Sequence, residues 1–259
     1  MIMLFDTHTH VNDDKLYEDR KEVISRALQN SVKVILNTGD NFASLERIKK
    51  LTEEFPGICY SVFGIHPSFC KEYDAKKLST YISENINSVL AVGEIGLDYF
   101  YEVSEEEKIL QKEVFISEIM LAKRYQLPIV VHSRSADEDT FVILNEYAKN
   151  MKVDLHCFSG SVEMAERYIK NIPNIMFGIG GVLTFNNAKR LVDVVKKVPL
   201  KHLLLETDAP YLSPSPYRGK INEPKSIKII AEKLSEILGL EFSEIEKATT
   251  LNARRFFNL

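Results

Sequence analysis

Residues 89–132, VLAVGEIGLDYFYEVSEEEKILQKEVFISEIMLAKRYQLPIVVH, contain the repeat that sets the architecture. A short β-branched run, Val89–Glu94, leads into a segment of helical periodicity, EKILQKEVFISEIMLAKRYQ, and then into a second run, Pro128–His132. Both runs have strand length, and both end on a group able to bind a metal. The same unit recurs on either side. Strands are predicted at Ile2–Asp6, Val32–Asn37, Ile58–Gly64, Val89–Glu94, Pro128–His132, Val153–Cys157, Ile175–Ile179 and Leu203–Thr207. Strict βα alternation implies a parallel sheet, and eight units in 259 residues imply an α/β chain closed into a single-domain (β/α)8 TIM barrel spanning residues 1–259. A doubly wound open sheet is the alternative.

A barrel puts its chemistry at the C-terminal mouth, so functional groups should end strands. Five of the 6 histidines do so, in DTHTH (6–10), GIHP (64–67), VVHSR (130–134) and LHCFSG (155–160), joined by GEIGLD (93–98) and ETDAP (206–210). His202 opens the last strand and reads as structural. His8 and His10 stand two apart and project from one strand face, with Asp6 on that face one layer deeper, placed to orient an imidazole. Glu94 lies between two glycines, and its two oxygens can bridge two cations. Asp208 can join His8 and His10 on one ion and also take a proton from an attacking water. His132 and His156, with Glu94, complete a second ion's ligands. Six such groups exceed the needs of one tetrahedral ion, so two divalent metals are expected.

Around these ligands, Glu206 is expected to support one from behind, while His66, before Pro67, is read as a substrate donor. Asp98 falls in the loop after its strand, and there either reaches substrate or a ligand, or caps the loop. Arg134 and, in the Pro-rich stretch Ala209–Pro224, Arg218 and Lys220 suit phosphate oxygens. Tyr99, Phe100, Tyr101 and Tyr211 can stack on bases or simply pack. The helix starting near Pro224 offers an N-terminus to an anion. Cys157 should point away from His156 across its strand. Two metals near carboxylate and imidazole imply hydrolysis. Competing machinery is missing from the sequence, since GIGG (178–181) lacks the dinucleotide pattern and no P-loop occurs.

Composition narrows the partners. A formal charge of −4 gives no global field for nucleic acid, so phosphates must be held locally. The 3 cysteines lack metal spacing and fit reduced thiols in a cytoplasm. Neither a signal peptide nor a membrane-length apolar run is legible, and a cytoplasmic monomer without membrane contact is expected.

The runs DTHTH, FGIHP, VGEIGLDY, VVHSR, HCFSG and ETDAPYL, with YRGKINEP and a terminal LNARRFF, resemble the TatD family of metal-dependent deoxyribonucleases in the amidohydrolase superfamily. The resemblance runs almost end to end. It implies a first metal on His8, His10, Glu94 and Asp208, and a second on Glu94, His132 and His156. Many relatives in the wider superfamily use a carboxylated lysine where this chain has Glu94, as TatD proteins do. It also implies exonuclease action at DNA 3′ ends, or, for some members, removal of D-amino acids from tRNA. The metal can be Zn²⁺, Mg²⁺ or Mn²⁺.

Overall fold

A computed structural model describes residues 3–101 and 103–259. Eight parallel strands follow one another around a single sheet in chain order. They are β1 (Leu4–Thr9), β2 (Val32–Thr38), β3 (Cys59–Val62), β4 (Val89–Asp98), β5 (Ile129–Arg134), β6 (Val153–Leu155), β7 (Ile175–Ile179) and β8 (Leu203–Leu205). Helices α1 (Asp14–Tyr17), α2 (Arg20–Gln29), α3 (Phe42–Glu54), α4 (Ala75–Glu84), α5 (Glu105–Tyr125), α6 (Asp137–Tyr147), α7 (Val162–Asn171), α8 (Lys189–Lys197), α9 (Ile227–Leu238) and α10 (Phe242–Phe257) complete the chain. The (β/α)8 expectation holds, and the open-sheet alternative does not. The first predicted strand began at Ile2, which lies outside the described residues. Among the described residues no helix is long and apolar enough to cross a membrane.

The seam between β8 and β1 is closed largely by side chains. Thr7 Oγ1 donates to the Leu205 carbonyl at 3.0 Å and Thr9 Oγ1 to the Ala209 carbonyl at 3.2 Å. In the other direction Thr207 donates its backbone N–H (2.9 Å) and its hydroxyl (2.5 Å) to the two Asp6 carboxylate oxygens. Backbone bonds from Asp208 N to His8 O (2.9 Å) and from His10 N to Ala209 O (2.6 Å) finish the join. Asp6 therefore does not orient an imidazole, as expected from strand parity; it spends both oxygens holding the barrel shut.

Inside the barrel, Phe5, Val34, Leu36, Val62, Ala91, Val130, Met176 and Leu204 form one apolar cluster, and Ala253, Phe256 and Phe257 of α10 pack against it. The rings of Phe5 and Phe257 stack at 5.9 Å. Helix α10 thus plugs the end opposite the mouth. At this level β6 contributes Asp154, in register between Val130 and Met176, fully buried and with neither carboxylate oxygen hydrogen-bonded among the described residues. A larger apolar cluster fills the space between strands and surrounding helices. Ser161 caps α7, its hydroxyl oxygen accepting from the Met164 N–H at 3.3 Å.

Strand limits differ from expectation where the chain passes over the mouth. β6 and β8 end at Leu155 and Leu205, and the backbone then turns, with Cys157 at φ 46° and Asp208 at φ 53°. β4 instead runs on to Asp98, which pairs with Arg134, so Asp98 is a strand residue and not part of a loop. Gly96 makes that extension possible: at φ 140°, a β-carbon there would lie 2.0 Å from the His132 carbonyl oxygen.

Candidate metal centre

Glu94 sits at the middle of the mouth with its two oxygens facing different histidine pairs. Oε2 lies 3.4 Å from His8 Nε2 and 3.7 Å from His10 Nε2. Oε1 lies 2.6 Å from His132 Nδ1 and 3.0 Å from His156 Nε2. Asp208 completes the first group, its Oδ1 being 3.8 Å from His8 Nε2 and 3.5 Å from His10 Nε2. All six residues anticipated as ligands are brought together by five different strands or strand ends.

The imidazoles are oriented from behind. His10 Nδ1 donates to the Thr38 carbonyl at 3.1 Å, which turns Nε2 toward the centre. His8 Nε2 points at that same nitrogen from 3.1 Å, and its own Nδ1 has no partner among the described residues. Lone pairs so close repel unless a proton or a cation lies between them, and with two carboxylates converging the donor set fits a divalent cation. His156 turns Nδ1 toward Glu206 Oε1 at 3.4 Å, and the His8 and His156 rings stack at 3.8 Å. Glu206 Oε1 also accepts from the Cys157 N–H at 2.6 Å, which places this carboxylate beside the His156 ring. A β-carbon at position 178 would meet Glu206 Oε2 at 2.2 Å, so Gly178 makes room for it.

Burial works against charge on every group here, and mutual attraction decides the outcome. Glu94 is held well below the usual carboxylate range: burial opposes this, but His156, His8 and His132 outweigh it. Asp208 is likewise lowered against burial by the His10 hydrogen bond and by His156 and His8. His10 is pushed up to about 10, because Asp40 and Asp208 overcome its burial. His156 is raised well above its ordinary value against burial, by Glu94 and Glu206. His132 is raised against burial by Asp98 and Glu94, while burial and the neighbouring His156 lower His8. Attraction thus wins at Glu94, Asp208, His10, His132 and His156, and burial wins at His8.

The remaining predicted residues divide. His66 lies against the second group, with Nε2 3.9 Å from Glu94 Oε1, while its Nδ1 accepts from Ser68 N at 3.1 Å. Burial lowers it to about 4, so it faces the centre as a neutral ring. Asp98 Oδ2 meets His132 Nε2 at 3.2 Å and so reaches a ligand-type ring. Arg134 stands exposed at the rim, its guanidinium 3.6 Å over the Phe100 ring, and Arg218 lies 4.3 Å over Phe185. Tyr211 donates its hydroxyl to Asp13 at 2.8 Å, with its ring 6.1 Å from that of His10.

Two expectations fail. The left-handed turn at Cys157 brings its thiol to within 4.8 Å of donor atoms of His156 and Glu206, not to the opposite side, because strand parity ends at Leu155. The helix start near Pro224 packs on α2, where Glu223 pairs with Arg26 at 2.7 Å, so α2 and not a free anion covers it. Asp40 was missed: it lies two residues past β2 in NTGD, and its Oδ1 is 3.6 Å from His10 Nδ1. Its place beyond a strand end was the available signal. Gln111 and Glu118 of α5 were also missed; both are buried and bind mouth backbone.

Known proteins resemble this chain over nearly its whole length. The family profile described as "TatD related DNase" matches residues 5–258. The uncharacterized metal-dependent hydrolase YabD of Bacillus subtilis is 41% identical over 260 residues, covering 99% of this chain and 100% of that protein. The uncharacterized metal-dependent hydrolase YcfH of Escherichia coli K12 is 34% identical over 263 residues, covering 100% of this chain and 97% of its own length. The crystal structure of YJJV, a TatD homologue from Escherichia coli K12, superposes with a TM-score of 0.91 at 29% identity, covering 99% of this chain and 98% of that one. With the match spanning nearly every residue, this chain belongs to the TatD family and is a metal-dependent hydrolase.

Proposed function

We propose that this chain is a phosphodiesterase that removes nucleotides from DNA 3′ ends, using two divalent metal ions. The observation that carries the reading is the division of Glu94, one oxygen 3.4 Å from His8 and the other 3.0 Å from His156. His8, His10, Glu94 and Asp208 would hold one ion, and Glu94, His132 and His156 the other. Zn²⁺, Mg²⁺ or Mn²⁺ bound there would act as Lewis acids and acidify water near neutral pH. The family description as a DNase supports phosphorus over carbonyl carbon as the target.

The chain's own groups supply the rest. Asp208, ionised beside His8 and His10, accepts the proton of the attacking water. His66, neutral and with Nδ1 occupied by the Ser68 N–H, keeps Nε2–H free to donate to a substrate oxygen. Asp98 holds the His132 ring, and Glu206 lies 3.4 Å from the His156 Nδ1. Arg134 and Arg218 provide local positive charge at the rim of a chain whose formal charge is −4, and the exposed Phe100 and Tyr101 beside Arg134 suit unpaired bases.

The test is a panel of single-stranded DNA, duplex DNA, RNA and D-aminoacyl-tRNA, assayed with Mg²⁺, Mn²⁺ and Zn²⁺. Glu94→Ala serves as the control. Metal-dependent nucleotide release from DNA 3′ ends that the variant abolishes is the expected result. Release surviving in the variant would overturn the mechanism, and turnover confined to D-aminoacyl-tRNA would replace the substrate.

A further inference from the structure

We infer that Gln111 and Glu118 of α5 are positioning residues that hold the backbone of Asp98 and of the His66 loop against the Glu94–His132 half of the centre. Seven residues apart, they lie two turns apart on one face of the helix, about 10 Å along its axis. Both are buried, Gln111 at 2% exposure and Glu118 at 0%. Their neighbours on that face, Val114, Phe115, Ile119 and Ala122, are apolar.

Each polar side chain reaches a mouth segment. Gln111 Oε1 accepts from the Asp98 N–H at 2.9 Å, and its Nε2 donates to the Asp98 carbonyl at 3.2 Å. Both backbone groups of Asp98 are thereby fixed by one amide. Glu118 Oε1 accepts from the Ile65 N–H at 2.8 Å, one residue before His66. Ser117, next along the helix, hydrogen-bonds the Tyr73 hydroxyl at 2.7 Å, just past the Pro67–Glu72 turn. The outcome at the centre is Asp98 Oδ2 at 3.2 Å from His132 Nε2, and the His66 and His132 rings at 4.5 Å. One rigid helix sets the spacing between the two segments that flank His132.

A packing role alone does not account for Glu118. Its Oε2 has no hydrogen-bond partner among the described residues, and an unsatisfied buried polar group costs about 1–3 kcal/mol, which a leucine filling the same space avoids. What leucine lacks is an acceptor for the Ile65 N–H. Burial also holds the Glu118 carboxyl well above its ordinary range, with the Ile65 bond as the opposing influence. The Ile65 N–H needs an acceptor oxygen at this place, and a glutamine amide supplies one.

The experiment compares Glu118→Gln, Glu118→Leu and Gln111→Leu in the full-length, Mn²⁺-loaded protein. Amide hydrogen exchange at Ile65 is expected to rise about tenfold or more in Glu118→Leu and to stay at wild-type levels in Glu118→Gln. With bis(p-nitrophenyl) phosphate, kcat should fall roughly 10- to 100-fold in Glu118→Leu, with KM and bound metal unchanged, and be restored to within about twofold in Glu118→Gln. Wild-type exchange and kcat in Glu118→Leu, or equal losses in both Glu118 variants, would overturn the inference. If Glu118→Leu does not fold, Gln111→Leu decides through exchange at the Asp98 amide, where wild-type protection counts against it. The kinetic arm rests on the phosphodiesterase reading; if wild-type protein leaves the probe intact, that reading fails while amide exchange still judges the clamp.

Discussion

Replacing Glu94 by glutamine removes one negative charge from among four imidazoles and leaves the volume unchanged. The nearest nitrogens of His132 and His156 lie 2.6 and 3.0 Å from Oε1, and those of His8 and His10 lie 3.4 and 3.7 Å from Oε2. Unit charges at such separations attract by about 4–6 kcal/mol at an effective dielectric near 20. Losing that attraction should lower the pKa of His132 and of His156 in the metal-free variant, since these two imidazoles lie nearest the lost charge. His10 supplies an internal control. Asp40 and Asp208 carry most of its upward shift to about 10, so it should move least. The same charge loss should weaken divalent cation binding by about a thousandfold. Imidazole C–H signals followed by NMR against pH, together with calorimetric Mn²⁺ titration, read both effects. If His132 and His156 titrate as in wild type and Mn²⁺ affinity changes less than about tenfold, the view of Glu94 as the shared counter-charge is wrong.

Three further outcomes are expected. Metal affinity should fall as pH falls, because His10 and His156 hold their protons in the metal-free chain and must release them to coordinate; calorimetry in buffers of different ionisation enthalpy should show that release, and none would contradict it. Burial and nearby Glu206 hold Asp154 well above its ordinary 3.8, so its folded-state penalty is absent in acid and grows as pH climbs past that value; the melting temperature of Asp154→Asn should exceed wild type by a margin that widens with pH, and a constant or shrinking margin would count against this. Phe257→Ala should cost about 3–5 kcal/mol of stability by opening a cavity beneath the barrel, yet leave the number of bound metal ions unchanged in urea melts and metal analysis.

Much of the centre was legible because its chemistry obeys the barrel's geometry. His8, His10, Glu94, His132, His156 and Asp208 each end a β-branched run, and the mouth gathers strand ends. Where the backbone departs from strand geometry, parity reasoning fails. Cys157 and Asp208 sit at positive φ just beyond their strands, so Cys157 joins His156 where alternation predicted separation. Asp6 looked like an imidazole partner by alternation, but the shift in register between Asp6 and Thr9 turns it toward Thr207. Gln111 and Glu118 escaped notice because helical periodicity marks which face is buried and says nothing of which polar group on that face meets a distant backbone. Arg134 and Arg218 stack on Phe100 and Phe185, contacts that depend on loop conformations no local pattern encodes.

The side-chain seam between β8 and β1 joins the first strand of the barrel to the last, and α10 packs on both. His8 and His10 lie on one side of that join and Asp208 on the other, linked by the Asp208 N–H to the His8 carbonyl. A cation shared by those three residues would act as a clasp between the first and last strands. Loading the centre would then tighten the seam that closes the barrel, and stripping it would loosen that seam.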